Sequence, residues 1–249
     1  MIELVAPAKL TWFLEVTGVR PNGYHELRSE MVTLDFADSL TIDPDGDYLR
    51  LEGGQGEIPL DETNLVARAL RLVGRRAGVT IVKEIPVGGG LGGGSADAGA
   101  VLRWAGGVSD EQALSLGGDV PFCQLGGRAL VEGVGEKLTP LDYERREVTL
   151  MLPGFSVDTR RCYEAYDELV AVGSRPSGRN HLEAAALIVE PRLARTLAWL
   201  RAEYGRGVEL AGSGSTMFLE GTLSPGVDEW HVTGPEGTVR FRQTTTTPR

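Results

Sequence analysis

Apolar and polar positions take turns along the first part of the chain. From Lys9 to Val16, Leu10, Trp12, Leu14 and Val16 alternate with Lys9, Thr11, Phe13 and Glu15, the period of two that marks a half-buried strand. Lys9 falls on the face opposite the main apolar row. Pro21-Asn22-Gly23 is turn chemistry, and Tyr24 and His25 follow it at once. Val32, Leu34 and Phe36 then alternate again, so a second strand returns toward residues 40–42. Asp43 to Gly56 reads as turns around a short strand. Leu65, Ala69, Leu72 and Val73 recur at helical spacing, with Asp61 or Thr63 as N-cap and Gly78 as the stop. Residues 79–85 are strand-like.

Further on, Ala98, Val101 and Leu102 give an apolar side to a helix over 97–104, whose small residues suit close approach to neighbouring backbone. Ser109 and Gln112 form a capping-box pair opening a short helix to Leu116, which Gly117-Gly118-Asp119-Val120-Pro121 ends. Residues 129–132 and 148–152 are strand-like, and the polar run 142–147 between them is the expected domain boundary. A helix over 158–172 places Cys162, Ala165 or Tyr166, and Leu169 on one side. A loop follows over 174–179. Asn180 and Glu183 make a second capping-box-like start, ahead of two helical stretches split at Pro191. Strands at 208–211 and 216–220 flank Gly212-Ser213-Gly214-Ser215. The expected architecture is α+β in two domains, 1–145 and 146–242, with a frayed, disordered tail at 243–249.

Pro86-Val87-Gly88-Gly89-Gly90-Leu91-Gly92-Gly93-Gly94-Ser95-Ala96 breaks both periodicities. It holds six glycines in eleven residues, and each adds conformational freedom that folding must remove. Bare backbone lets several N–H groups converge on a polyanion, and a helix capped near Ser95 would aim its unpaired donors the same way. Phosphate is the expected ligand. A flexible linker would be polar on both sides, whereas a strand pattern precedes this stretch. No Gly-Lys-Ser or Gly-Lys-Thr is present, so it is not a P-loop of the usual spelling.

Composition narrows the class. The net charge is −10, from 25 basic and 35 acidic residues, which argues against a general role on nucleic acid or anionic membranes. Cys123 and Cys162 are too few and too far apart for a disulfide framework or zinc site and read as buried reduced thiols. The start of the chain has no basic n-region or apolar h-region, and no run is long enough to span a bilayer; the expected location is the cytoplasm.

Pro7-Ala8-Lys9, the central glycine loop and Gly212-Ser213-Gly214-Ser215, in this order, resemble the three motifs of the GHMP small-molecule kinase superfamily. Arg20-Pro-Asn-Gly-Tyr24-His25, Gly118-Asp119-Val120-Pro121 and Glu132-Gly-Val-Gly-Glu-Lys-Leu-Thr-Pro140 are similar to the branch that phosphorylates a cytidine diphosphate alcohol in the non-mevalonate (MEP) isoprenoid pathway. The resemblance implies an ATP-binding domain of ribosomal-protein-S5-like type with a left-handed crossover, a ferredoxin-like C-terminal domain, and a site in the cleft between them. It implies Lys9 and Asp119 as catalytic residues, residues 86–96 on ATP, and Thr11, Tyr24, His25 and Tyr163 on the substrate. Asn64-Leu-Val-Ala-Arg68 resembles the segment bordering the nucleotide. No residue is expected to bind metal by itself; Mg²⁺ would arrive on ATP. The expected partners are ATP and the small-molecule substrate, with at most a weak homodimer left open. Thr11 stands where the family commonly has asparagine, and residues 225–237 are short and rich in proline and glycine where it usually has a helix. A homoserine- or mevalonate-type kinase and an inactive nucleotide-binding homologue stay open as alternatives.

Overall fold

The structure, a computed structural model, describes residues 1–53, 58–174 and 176–248. Gly54 to Gly56 of the expected turn region, Arg175 of the expected loop and Arg249 of the tail lie outside the described residues.

The alternating N-terminal segments form one long hairpin, β1 (Ile2–Val19) on β2 (His25–Asp43). β2 also pairs through its far end with β4 (Gly78–Val82) and through its near end with β5 (Arg128–Gly133), while β3 (Leu49–Leu51) and β6 (Lys137–Pro140) complete a six-stranded sheet. Four helices belong to its core: α1 (Leu65–Leu72), α2 (Gly93–Trp104), the short α3 (Asp110–Leu114), which contributes Ala113, and the short α4 (Val120–Leu125). Leu10, Leu34, Leu40, Ile81, Leu102 and Phe122 fill the space between them. α2 carries Ala96, Ala98, Gly99 and Ala100 because α4 crosses it closely: a Cβ at Gly99 would lie 2.7 Å from the Cys123 carbonyl carbon.

The second half forms a five-stranded antiparallel sheet in the order β10–β11–β7–β9–β8, from β7 (Glu147–Pro153), β8 (Glu209–Leu210), β9 (Met217–Glu220), β10 (Glu229–Gly234) and β11 (Gly237–Thr245). Helices α5 (Thr159–Ala171), α6 (Glu183–Val189) and α7 (Pro191–Tyr204) share a core with it. β7 is buried on both faces, Val148, Leu150 and Leu152 joining the first core and Met151 the second. That explains the consecutive apolar residues Leu150, Met151 and Leu152. Among the described residues no helix is long and apolar enough to cross a membrane.

Several expectations need correction. α1 is capped by Asn64, whose side chain accepts from Val66 N at 2.8 Å; Asp61 instead binds Thr63. The helix ends at Leu72, with Gly74 in the left-handed region, and Gly78 opens β4. Ser95 is not a cap: Gly92, at φ 68°, holds that position, no side chain caps the helix, and Ser95 lies inside its first turn. Asn180 does not open α6, which starts at Glu183; its amide spans to the carbonyls of Leu210 and Gly212. The segment after Gly117 does not merely stop a helix, because it starts α4 with Pro121 in the first turn, where a missing N–H costs nothing.

The tail is ordered. Gln243 to Thr245 pair with Thr149 to Glu147, and Thr244 and Thr246 are 4% exposed. Threonine is a good strand former, and these hydroxyls find partners: Thr244 and Thr245 on Asp35, Thr246 on the Glu144 carbonyl. Residues 225–237, where a helix was usual for the family, carry β10 and the turn into β11.

Candidate active site

A cavity of about 490 Å³ opens between the two halves, bounded by β1, the glycine loop and the start of α2 on one side and by Thr159, Tyr163, Leu182, Gly212 and Ser213 on the other. A second cavity of about 800 Å³ adjoins it, sharing Ser95, Asp119 and Tyr163 and reaching Tyr24, His25 and Asp167.

The loop owes its course to backbone angles that only glycine adopts without strain. Gly88, Gly90 and Gly92 have φ of 71°, 82° and 68°, so residues in the left-handed region are interleaved with others, the arrangement that turns successive N–H groups into an anion-binding concavity. The first-turn N–H groups of α2 meet the same space without a side-chain cap, where the helix dipole favours negative charge. Two neighbours fix the loop from outside: Lys9 N donates to Leu91 O at 3.0 Å and Thr216 N to Gly89 O at 3.0 Å. The segment after Ala211 packs against it so closely that a Cβ at Gly90 would lie 2.7 Å from Gly214 O.

Lys9 is 6% exposed. Its stem passes Gly92, where a Cβ would lie 2.8 Å from Lys9 Cγ, and its Nζ donates to Thr11 Oγ1 at 3.1 Å and pairs with Asp119 Oδ2 at 3.3 Å. Asp119 is the N-cap residue of α4, yet its carboxylate caps nothing, so it is free to face the ammonium.

In the adjoining cavity His25 stacks on Tyr163, centroids 4.7 Å apart at 28°, and meets Tyr166 edge-on at 5.8 Å. His25 Nε2 lies 2.7 Å from Asp167 Oδ1. A carboxylate only accepts, so Nε2 carries the hydrogen of this bond. Burial, and then the charge of Asp119, push the Tyr163 phenol well above its ordinary value, so the ring stays neutral. Tyr24 is 64% exposed at the rim. The turn carrying it is tied down by Arg20, which donates to Glu136 at 2.6 Å and Glu26 at 3.1 Å.

The fold therefore gathers Lys9, Thr11, Asp119, Ser95 and Tyr163 at one cavity with Pro86 to Gly90 and Gly92 to Gly94, and brings Tyr24 and His25 to the next. It does not bring in Leu91 and Ala96. Both face the core at 0% and 1% exposure, since the loop needs apolar anchors beneath it. Sequence reading missed Asp167, Thr159 as the partner of Ser213 in the third motif (2.8 Å between their hydroxyl oxygens), and a buried group of Asp38, Lys83 and Asp97. Of these only Lys83, a charge inside an apolar strand pattern, left a signal.

Fold and site together define a kinase of the GHMP class. Residues 64–127 match the family described as GHMP kinases N terminal domain, and homoserine kinase from Cytophaga hutchinsonii shares the fold at 19% identity and TM-score 0.54, over 89% of this chain and 85% of that one. The likeness narrows with a crystal structure of 4-(cytidine 5'-diphospho)-2C-methyl-D-erythritol kinase, at TM-score 0.71 and 33% identity over 99% of this chain and 100% of that one. The 4-diphosphocytidyl-2-C-methyl-D-erythritol kinase of Paracoccus denitrificans is 39% identical over 231 residues, 86% of this chain and 84% of that protein. The chain belongs to the 4-diphosphocytidyl-2-C-methyl-D-erythritol kinase family.

Proposed function

We infer that this chain transfers the γ-phosphoryl group of ATP to the 2-hydroxyl of 4-(cytidine 5'-diphospho)-2-C-methyl-D-erythritol, a step of the non-mevalonate isoprenoid route. The observation that carries the reading is the Lys9–Asp119 pair at 3.3 Å, standing between a phosphate-type loop and an aromatic pocket suited to a nucleobase.

In this reading the loop and the first turn of α2 hold the phosphates by backbone N–H groups. Asp119 orients the alcohol and takes its proton as the oxygen–phosphorus bond forms and the bond to the β-phosphate oxygen breaks. The Lys9 ammonium, fixed by Thr11 and Asp119, balances the negative charge that gathers at the transferred group. The His25 ring accepts from the cytosine amino group while Tyr163 and Tyr24 offer faces for stacking. Mg²⁺ would be carried by the nucleotide, whose phosphates supply the oxygen donors it takes. The split of the chain into an ATP-binding part up to about residue 145 and a second part beyond it belongs to the same reading.

An assay with ATP, Mg²⁺ and the cytidine substrate tests it. Asp119→Asn should lower kcat roughly 10²–10⁴-fold and Lys9→Ala roughly 10²–10³-fold, each with the far-UV circular dichroism of the parent. Near-parental rates in both variants would sink the mechanism. Comparable phosphorylation of homoserine or mevalonate would sink the substrate assignment, and ATP binding without turnover would mark an inactive homologue.

A further inference from the structure

Beneath the glycine loop lies a group of charges that the phosphoryl transfer does not use. Lys83, Asp38 and Asp97 have side chains 2%, 0% and 4% exposed. Lys83 Nζ contacts Asp38 Oδ2 and donates to Asp97 Oδ2 at 2.8 Å. Asp38 Oδ1 accepts from the backbone N–H groups of Glu84 at 2.6 Å and Ile85 at 2.9 Å. The other oxygen of Asp97 is buried and accepts no hydrogen bond. Among the described residues, the Lys83 ammonium is that carboxylate's one ion-pair partner.

The placement of these three residues along the chain gives them meaning. Lys83, Glu84 and Ile85 follow β4 and lead into the loop, and Asp97 sits one turn into the helix that leaves it. One ammonium therefore ties the two ends of the loop together, and Asp38 ties both to the central strand β2. The approach is close: a Cβ at Gly93 would lie 3.0 Å from Lys83 Nζ. Although Lys83 and Asp97 both border the cavity, the ammonium's charge is taken up by Asp97 and by Asp38 beneath it. Lys83 is poorly placed to serve as a free cation for phosphate, and two buried acids under an anion site would oppose binding unless they did something else.

We propose that Lys83 and Asp97 are positioning residues for the nucleotide, setting the separation of strand end and helix start at which the loop's N–H groups converge on the phosphates. The proposal rests on the nucleotide reading above. Burial, together with the charge of Asp38 and against the pull of Lys83, raises Asp97 to about 7, so a neutral side chain of the same shape fits the position.

The test compares the whole chain with Asp97→Ala and Asp97→Asn, measuring KM for ATP, KM for the cytidine substrate, kcat, and the Kd for ATP with Mg²⁺ by calorimetry. Loss of a buried hydrogen bond to a charged group predicts that Asp97→Ala weakens ATP about tenfold or more by both KM and Kd. KM for the cytidine substrate should stay within about twofold, and Asp97→Asn, which keeps an oxygen for Lys83, should restore ATP affinity to within about twofold of the parent. An Asp97→Ala chain that binds ATP as the parent does overturns the proposal. So does one that weakens both substrates alike, loses kcat alone or fails to fold, since the residue would then serve the structure at large; so does an Asp97→Asn chain as weak as Asp97→Ala. If the parent binds no ATP, the nucleotide reading falls and this proposal with it, which separates the two failures.

Discussion

Asp97 and Asp119 are two carboxylates at one cavity with opposite surroundings. The side chain of Asp119 is 34% exposed and faces an ammonium; that of Asp97 is 4% exposed and shares its ammonium with Asp38. Burial raises Asp97 from the ordinary 3.8 to about 7. A raised folded value means the native state holds a proton that the unfolded chain has released. Stability is therefore lost as pH rises from about 4 to about 7, and the full cost is present above that. Asp97→Asn removes the cost, so its Tm should exceed the parent's at pH 8 and the difference should shrink as pH falls toward 4. Thermal melts across that range check the sign; a difference that grows toward acid would refute it. The two thiols are quiet by the same physics: burial, with the charge of Asp158 second, raises Cys162 to about 12, and Cys123 is pushed up further still. Both stay protonated and behave as small apolar residues.

At the scale of elements, the glycine loop works as one face of a fitted joint rather than as a free segment. Its partner is the Gly212-to-Ser215 turn, held by Asn180 through the Gly212 carbonyl and by Ser215 through the Phe155 carbonyl. Gly90 has both a left-handed φ and no room for a Cβ. Gly90→Ala should cost about 2 kcal/mol from the backbone angle alone, with a further loss from the contact to Gly214 O. Gly94 lies in the first turn of α2, where a Cβ would meet Leu65 Cδ1 at an ordinary 3.6 Å. Gly94→Ala should be neutral or stabilising by up to about 1 kcal/mol. Urea unfolding of both variants is the check: similar stabilities would mean that the joint is not packed as described.

For the whole molecule, the C-terminal strand decides how the halves stay together. β11 lies between β10 and β7 in the second sheet, and its last residues cross to the first, where Thr245 N donates to Asp35 at 3.0 Å and Thr247 N to Thr33 O at 2.9 Å. Tyr143 adds a bond to Thr246 O at 2.9 Å. Removing residues 243–249 breaks more than three hydrogen bonds and should lower stability by at least about 3 kcal/mol, at roughly 1 kcal/mol net for each. For a chain of this size that lower bound is a Tm shift of about 6–12 °C, measurable by calorimetry. A frayed tail would leave Tm unchanged. Because the cavity is built from both halves, the truncated chain should also show a raised KM for the cytidine substrate.

The sequence by itself determined the local periods and the chemistry. Alternation specified β1 and β2, a capping box specified α3, helical spacing specified α5, and glycine density marked the loop, because each is a property of residues a few positions apart. Lys9, Asp119, Tyr24 and His25 were legible through short motifs. What only the tertiary structure decided depends on partners distant in the chain. Four threonines near the end read as a loose tail until Asp35 and Glu144 were placed beside them. Asp38, Lys83 and Asp97 read as separate charges until β2, the segment after β4 and α2 met. Leu91 and Ala96 belong to the loop in sequence and to the core in space, since burial is fixed by what packs on a residue and not by its neighbours along the chain.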